Sequence, residues 1–177
     1  MERKYYSGGE GKPPIWIQPI IESGQMHDLD FFHFTDMLNW EKQGDDAAVL
    51  EPLIAFLAKW GDNVIFAFHD KMAELLFSLD TYNIAKHLIE KEDYFSPDYF
   101  LYARCVALAN GKPYYNAILK GRKKLAANMD FESLLYVPQK AWERIHNENV
   151  DKYLHEPNVN YETYSNKAGW ENSPVKK

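Results

Sequence analysis

The chain has 177 residues, 46% apolar and 15% aromatic, with 20 basic and 26 acidic side chains and a net charge of −6. That length suits one domain burying roughly 70% of its unfolded surface, so the core needs neither metal nor disulfide. The single cysteine, Cys105, excludes an internal disulfide and a cysteine-based zinc site, and the absence of a basic face interleaved with aromatics argues against nucleic acid.

Residues 1–27 carry Gly8, Gly9, Gly11, Pro13 and Pro14, which resist helix, and then the apolar run Ile15-Trp16-Ile17-Gln18-Pro19-Ile20-Ile21. Broken by proline, that run reads as an extended stretch or short strand crossing the domain. No segment shows a signal-peptide pattern or the ~20 apolar residues that span a bilayer, so a cytoplasmic protein with no membrane partner is expected.

The helical domain is read over residues 28–147. Asp28 opens a helix marked by Leu29, Phe32, Asp36 and Trp40 and running to about Glu41. Asp45-Asp46 opens a second, with Val49, Leu50, Leu53, Ile54, Phe56 and Leu57, that continues through Trp60 and stops at Gly61. Asp62 caps a third, whose apolar face is Val64, Phe68, Met72, Leu75, Leu76 and Leu79. Asp80 then restarts the chain as a short helix carrying Ile84, Ala85, Leu88 and Ile89.

The central element runs from Ser96-Pro97-Asp98 to Asn110-Gly111. Its start combines a capping hydroxyl, proline in the first turn and an acid at the positive end of the dipole. Phe100, Leu101, Cys105, Val106, Leu108 and the alanines cover nearly its whole circumference, the pattern of a helix buried on all sides. Cys105 is therefore read as a core residue. Arg104 falls among these apolar positions, and a buried guanidinium needs a counter-charge. The expected partner is Glu132 or Glu143.

A short helix follows around Tyr114. The basic stretch 120–124, with Lys120, Arg122, Lys123 and Lys124, reads as a solvated loop. The last long helix is expected from Asp130, with Phe131, Leu134, Leu135, Pro138, Ala141, Trp142 and Ile145 on one face and a kink at Pro138. Residues 148–177 turn polar and aromatic, with Tyr153, Tyr161, Tyr164 and Trp170, and read as a tail packed on the domain and frayed after about Glu171. No register repeats at a fixed period, which excludes a solenoid. The fold class is all-α: a single-domain bundle of six to seven helices around a central buried helix.

Catalytic patterns are scarce. There is no Gly-x-Ser-x-Gly elbow, phosphate-binding glycine loop or His-Glu-x-x-His motif. One constellation is arguable: His27 and His33, then His69-Asp70, then Asp130, the order of His…His-Asp…Asp metal-dependent phosphohydrolases. The plainer reading makes His69 a hydrogen-bonded histidine at the edge of an apolar face, Asp28 a cap, and the rest a wet helix surface.

The stretch Phe100-Leu101-Tyr102-Ala103-Arg104-Cys105-Val106-Ala107-Leu108-Ala109-Asn110-Gly111-Lys112-Pro113-Tyr114-Tyr115 resembles the bacterial domain-of-unknown-function family numbered 4240. Phe131-Glu132-Ser133-Leu134-Leu135-Tyr136-Val137, then Ala141-Trp142-Glu143, and the segment 65–79 with its Leu-Asp step extend the likeness. It spans roughly residues 30–146 and reaches Tyr161-Glu162-Thr163 and Gly169-Trp170. The family's opening helix has an early Phe-Trp pair where this chain has Phe31-Phe32. The resemblance implies an all-α bacterial domain and brings no catalytic residues or cofactor with it.

Without a catalytic constellation, and with an acidic surface and tail aromatics, the expected function is non-enzymatic binding of another protein, of immunity or regulatory type. The alternative is a metal-dependent hydrolase built on His69 and Asp70, with His33 and Asp130 as further ligands. It requires those side chains to converge in a cleft.

Overall fold

Helix signals in the sequence become nine α-helices in the computed structural model, which describes residues 11–89 and 95–174. The first ten residues of the irregular segment and the last three of the tail, expected to fray, lie outside the described residues.

Helix α1 (Gln18–Ser23) replaces the expected extended stretch. Pro19 sits at its first turn, where the missing N–H has no helical acceptor to lose, and Gly24 closes it in the left-handed region at φ +65°. Helix α2 (Asp28–Thr35) opens with the Asp30 carboxylate accepting from the His27 N–H, 3.1 Å. It is shorter than predicted. Thr35 turns its hydroxyl back to the Phe32 carbonyl, Met37 N–H bonds to Phe34, and Asn39 N–H reaches Val49 O at 2.9 Å. Trp40 thus leaves the helix and stands in a 3-10 turn, Trp40–Lys42.

Helix α3 (Asp46–Trp60) starts under an Asp45 cap to Ala48 N–H and ends at Gly61, where φ is +83°. Helix α4 (Asp62–Leu79) follows at once, then α5 (Tyr82–Ile89). Helix α6 (Pro97–Ala109), capped by Ser96 Oγ to Tyr99 N–H, is the predicted central element. Phe100, Leu101 and all of 103–109 are buried. Helix α7 (Gly111–Leu119) comes after a single linking residue.

The last long helix differs from expectation. Residues Glu132–Tyr136 form a 3-10 turn, and α8 (Val137–His146) starts only there. Pro138 occupies its first turn and begins the helix rather than kinking it, because proline is tolerated at that position and costly one turn later. Asn147, left-handed at φ +50°, ends α8, and the tail runs through a 3-10 turn (Val150–Lys152) to α9 (Lys167–Trp170).

Helix α6 is wrapped by α4, α7, α2 and the 132–136 turn. Helix α4 is the hub: α1, α2, α3, α6, α7 and α8 all pack on it. The core between them is aromatic, with Phe31 stacked on Phe68 at 4.9 Å and Phe34 edge-on to Phe68 at 5.6 Å. The fold is an all-α bundle, and no helix among the described residues is long and apolar enough to cross a membrane.

Candidate functional site

His69 and Asp70 lie next to each other on α4, and both are held by the tail. His69 is buried, only 3% exposed, with Nδ1 3.0 Å from the Tyr153 hydroxyl and Nε2 unpartnered. Burial, reinforced by His155, lowers its pKa to about 4 against the weaker opposing pull of Asp70, so the ring is neutral at pH 7. Asp70 Oδ1 accepts from His155 Nε2 at 3.0 Å and from the Asn158 N–H at 3.1 Å. His155 stacks on Phe66, ring centroids 4.4 Å apart.

The ligands that the metal-hydrolase alternative requires do not converge. His33 packs near Trp16 at the other end of α2, and Asp130 is exposed in the loop before Phe131. His27 and Asp70 do share a polar cleft of about 310 Å³ with Lys71, Glu74 and Asn158. In it Lys71 is paired to Glu74 and Asp28. Among the described residues no three His, Cys, Asp or Glu side chains meet to hold a metal. A His-Asp pair in sequence points in two directions on a helix, because neighbours are about 100° apart around the axis. Here one residue takes Tyr153 and the other His155.

Arg104 is fully buried, but its predicted ion pair is corrected. Nη1 donates to the Leu76 carbonyl at 2.9 Å and Nη2 to Thr163 Oγ1 at 3.0 Å, while Thr163 donates onward to Pro97 O. The guanidinium also lies 4.8 Å over the Phe100 ring. Burial lowers Arg104 to about 10, opposed first by the Asp80 carboxylate, so it stays charged. Glu132 instead accepts from the Tyr136 hydroxyl and Glu143 from the Val150 N–H. The cause is rotational: Tyr102, not Arg104, shares a cleft with Glu132, and α6 turns Arg104 toward α4 and the tail.

Asp80 is the residue that sequence reasoning missed. Read as the start of α5, it is instead a fully buried acceptor at the α4–α5 junction. Its carboxylate takes Tyr164 N–H, Ser165 Oγ, Asn166 N–H and, at 2.8 Å, Trp170 Nε1. Gly169 is required beside it, since a Cβ there would lie 2.8 Å from Asp80 O. The one available signal was an acid directly after an apolar helix end, and nothing local pairs it with residues 90 positions away.

Cys105 is buried with its thiol pushed up to about 12, which leaves no thiolate for chemistry.

A second surface has the opposite character. Trp40 is 46% exposed and Met129 47% exposed, and they flank a groove of about 370 Å³. Its floor is Val49, Val106, Ala109 and Phe131, with the Trp40 and Phe131 rings 5.7 Å apart. Asp46 and Asp130 stand on the rim, and Glu41 and Asp45 are exposed beside it, as is Lys42.

The profile of a family described as a protein of unknown function (DUF4240) matches residues 26–144. The chain belongs to the DUF4240 family. No curated protein and no solved structure matches it. All the groove residues fall inside the DUF4240 match, whereas the tail with Tyr153, Thr163 and Trp170 falls outside it. Trp40 was read as a helix-face residue, and its exposure follows from α2 ending at Thr35.

Proposed function

We propose that this DUF4240 protein is a non-enzymatic binding domain that takes a cationic, partly apolar segment of another protein in the Trp40–Met129 groove. The observation that carries the reading is two large apolar side chains left about half exposed above an apolar floor. Single exposed apolar residues are ordinary, but paired ones over a groove are the anatomy of a contact patch, and tryptophan is enriched where such contacts concentrate energy. The acidic rim of Asp46 and Asp130, in a chain of net charge −6, favours a basic segment and speeds its encounter. An immunity or regulatory role fits this mode of action.

The test is affinity capture from native lysate by the wild-type chain, Trp40→Ala, and Asp46→Lys/Asp130→Lys in parallel. A stoichiometric protein held by the wild type at low salt, and weakened at least tenfold by either variant with unchanged circular dichroism, supports the groove. Equal capture by all three, or no specific capture at all, overturns it.

A further inference from the structure

A cleft of about 530 Å³ lies between the start of α5, the end of α7 and the basic stretch 120–124. Its polar lining is Ser78, Thr81, Asn83, Lys86, Lys123 and Lys124, above an apolar base of Ile84, Ile118 and Leu125. Among the described residues no carboxylate lines it, although acids outnumber bases in the chain by 26 to 20.

Among the described residues no ion pair neutralises these lysines. The ion pairs among the described residues involve Lys71, Arg144, His146, Lys152 and His155, never Lys86, Lys123 or Lys124. Lys123 has one aromatic contact, 5.3 Å over the Tyr114 ring. Cations gathered around a concave surface with no counter-charge repel one another, an arrangement that a bound anion relieves.

Nor is the basic stretch a loose loop. Arg122 N–H donates to Ala117 O at 2.8 Å and Gly121 N–H to Ile118 O at 2.9 Å, with Gly121 left-handed at φ +66°. This is the Schellman closure of α7, and it fixes where the next residues go. The following residue pair is pinned as well: Leu125 O lies 3.0 Å from Nε2 of buried His87, whose Nδ1 lies 3.0 Å from Ile84 O. These two contacts tie the lysine-bearing turn to α5 and fix the wall of the cleft.

We propose that this cleft is a binding site for a small phosphorylated molecule, with Lys86, Lys123 and Lys124 as its anion-recognising residues. Lysine meets phosphate as a point charge, Asn83 and Thr81 add polar groups at the mouth, and the apolar base accommodates an uncharged remainder of the ligand. The volume falls within the range of small-molecule sites. The site is separate from the Trp40–Met129 groove and does not depend on that reading.

The test is a ¹⁵N-NMR titration of the full chain with inorganic pyrophosphate at fixed ionic strength, repeated with Lys123→Glu, Lys86→Glu and, as a surface control, Lys140→Glu. The expected result is saturable shifts concentrated at residues 81–87 and 121–125, at least tenfold weaker binding in each cleft variant, and native binding in the control. Cleft and control are both exposed positions, so folding is retained and is checked by the unperturbed remainder of each spectrum. Shifts that never saturate, that spread over exposed lysines generally, or that persist in Lys123→Glu would overturn the proposal.

Discussion

The face that α4 and α6 turn to the tail and the cleft between α5 and α7 both gather charged groups, and the chain treats them in opposite ways. On the tail face the charges are met from within: Asp80 by four donors, Arg104 by a carbonyl and a hydroxyl at its two Nη atoms and by an aromatic ring, though its buried Nε has no partner, and Asp70 by His155 and Asn158. In the cleft, Lys86 and Lys124 have no such answer among the described residues. The groove makes the same contrast for apolar surface: Trp170 is sealed against Tyr164 and Phe100, while Trp40 is left half open. The tail face uses its charges to hold the fold together, whereas the cleft and the groove leave charge and apolar surface open to solvent.

The largest effect that would break this division is at Asp80. Asp80→Ala strips a fully buried carboxylate from three N–H groups and a hydroxyl, one of them the buried Trp170 indole. Removing one side of a buried charged network typically costs about 3–5 kcal/mol. The urea midpoint should fall accordingly, with Trp170 fluorescence moving toward that of exposed indole. A loss of unfolding free energy under about 1 kcal/mol would mean that the tail is not part of the cooperative unit.

His69 sharpens the comparison through pH. Its ordinary value of 6.5 falls to about 4 in the folded chain. Between those values the unfolded chain takes up a proton that the folded chain refuses, so His69's contribution is intact above pH 6.5 and drains as pH falls toward 4. At about 1.4 kcal/mol per unit, the loss reaches roughly 3 kcal/mol. His69→Gln keeps a polar partner for Tyr153 and removes the titration, so the difference between wild-type and variant stability curves should slope across that window and flatten above it. Parallel curves from pH 7 to 4 would show that His69 is wetter than its packing against Tyr153 implies.

Local signals made the helices legible and long-range ones did not. Ser96-Pro97-Asp98, Gly61 and the apolar circumference of α6 each encode their role within a few residues, and each appears where expected. Pro19 and Pro138 misled because proline breaks a helix interior yet opens a helix start, and which applies depends on where the helix begins. The burial of Arg104 was readable from the wheel, but its partner was not, because Thr163 is 59 residues away and the rotation of α6 against the tail is a tertiary choice. The groove was hidden for a similar reason: Trp40 leaves its helix only because Asn39 is pulled onto α3.

The smallest effect provides the control. Arg144 makes a two-pronged contact to Glu51, 2.8 and 2.7 Å, joining α8 to α3, and on paper it is a better ion pair than anything Arg104 has. Both partners are largely exposed, and the Arg144 bond holds the Glu51 carboxyl below its usual range only where water and salt compete freely. Exposed pairs of this kind contribute about 0.2–1 kcal/mol and weaken in salt. Arg144→Ala should therefore lower the unfolding free energy from urea titration by less than about 1 kcal/mol, and by less still in high salt, while Arg104→Met costs several times as much at either ionic strength. Two arginines on one chain then separate distance from burial. If Arg144→Ala proves as damaging as Arg104→Met, the α3–α8 seam rather than the tail clasp is what the bundle depends on.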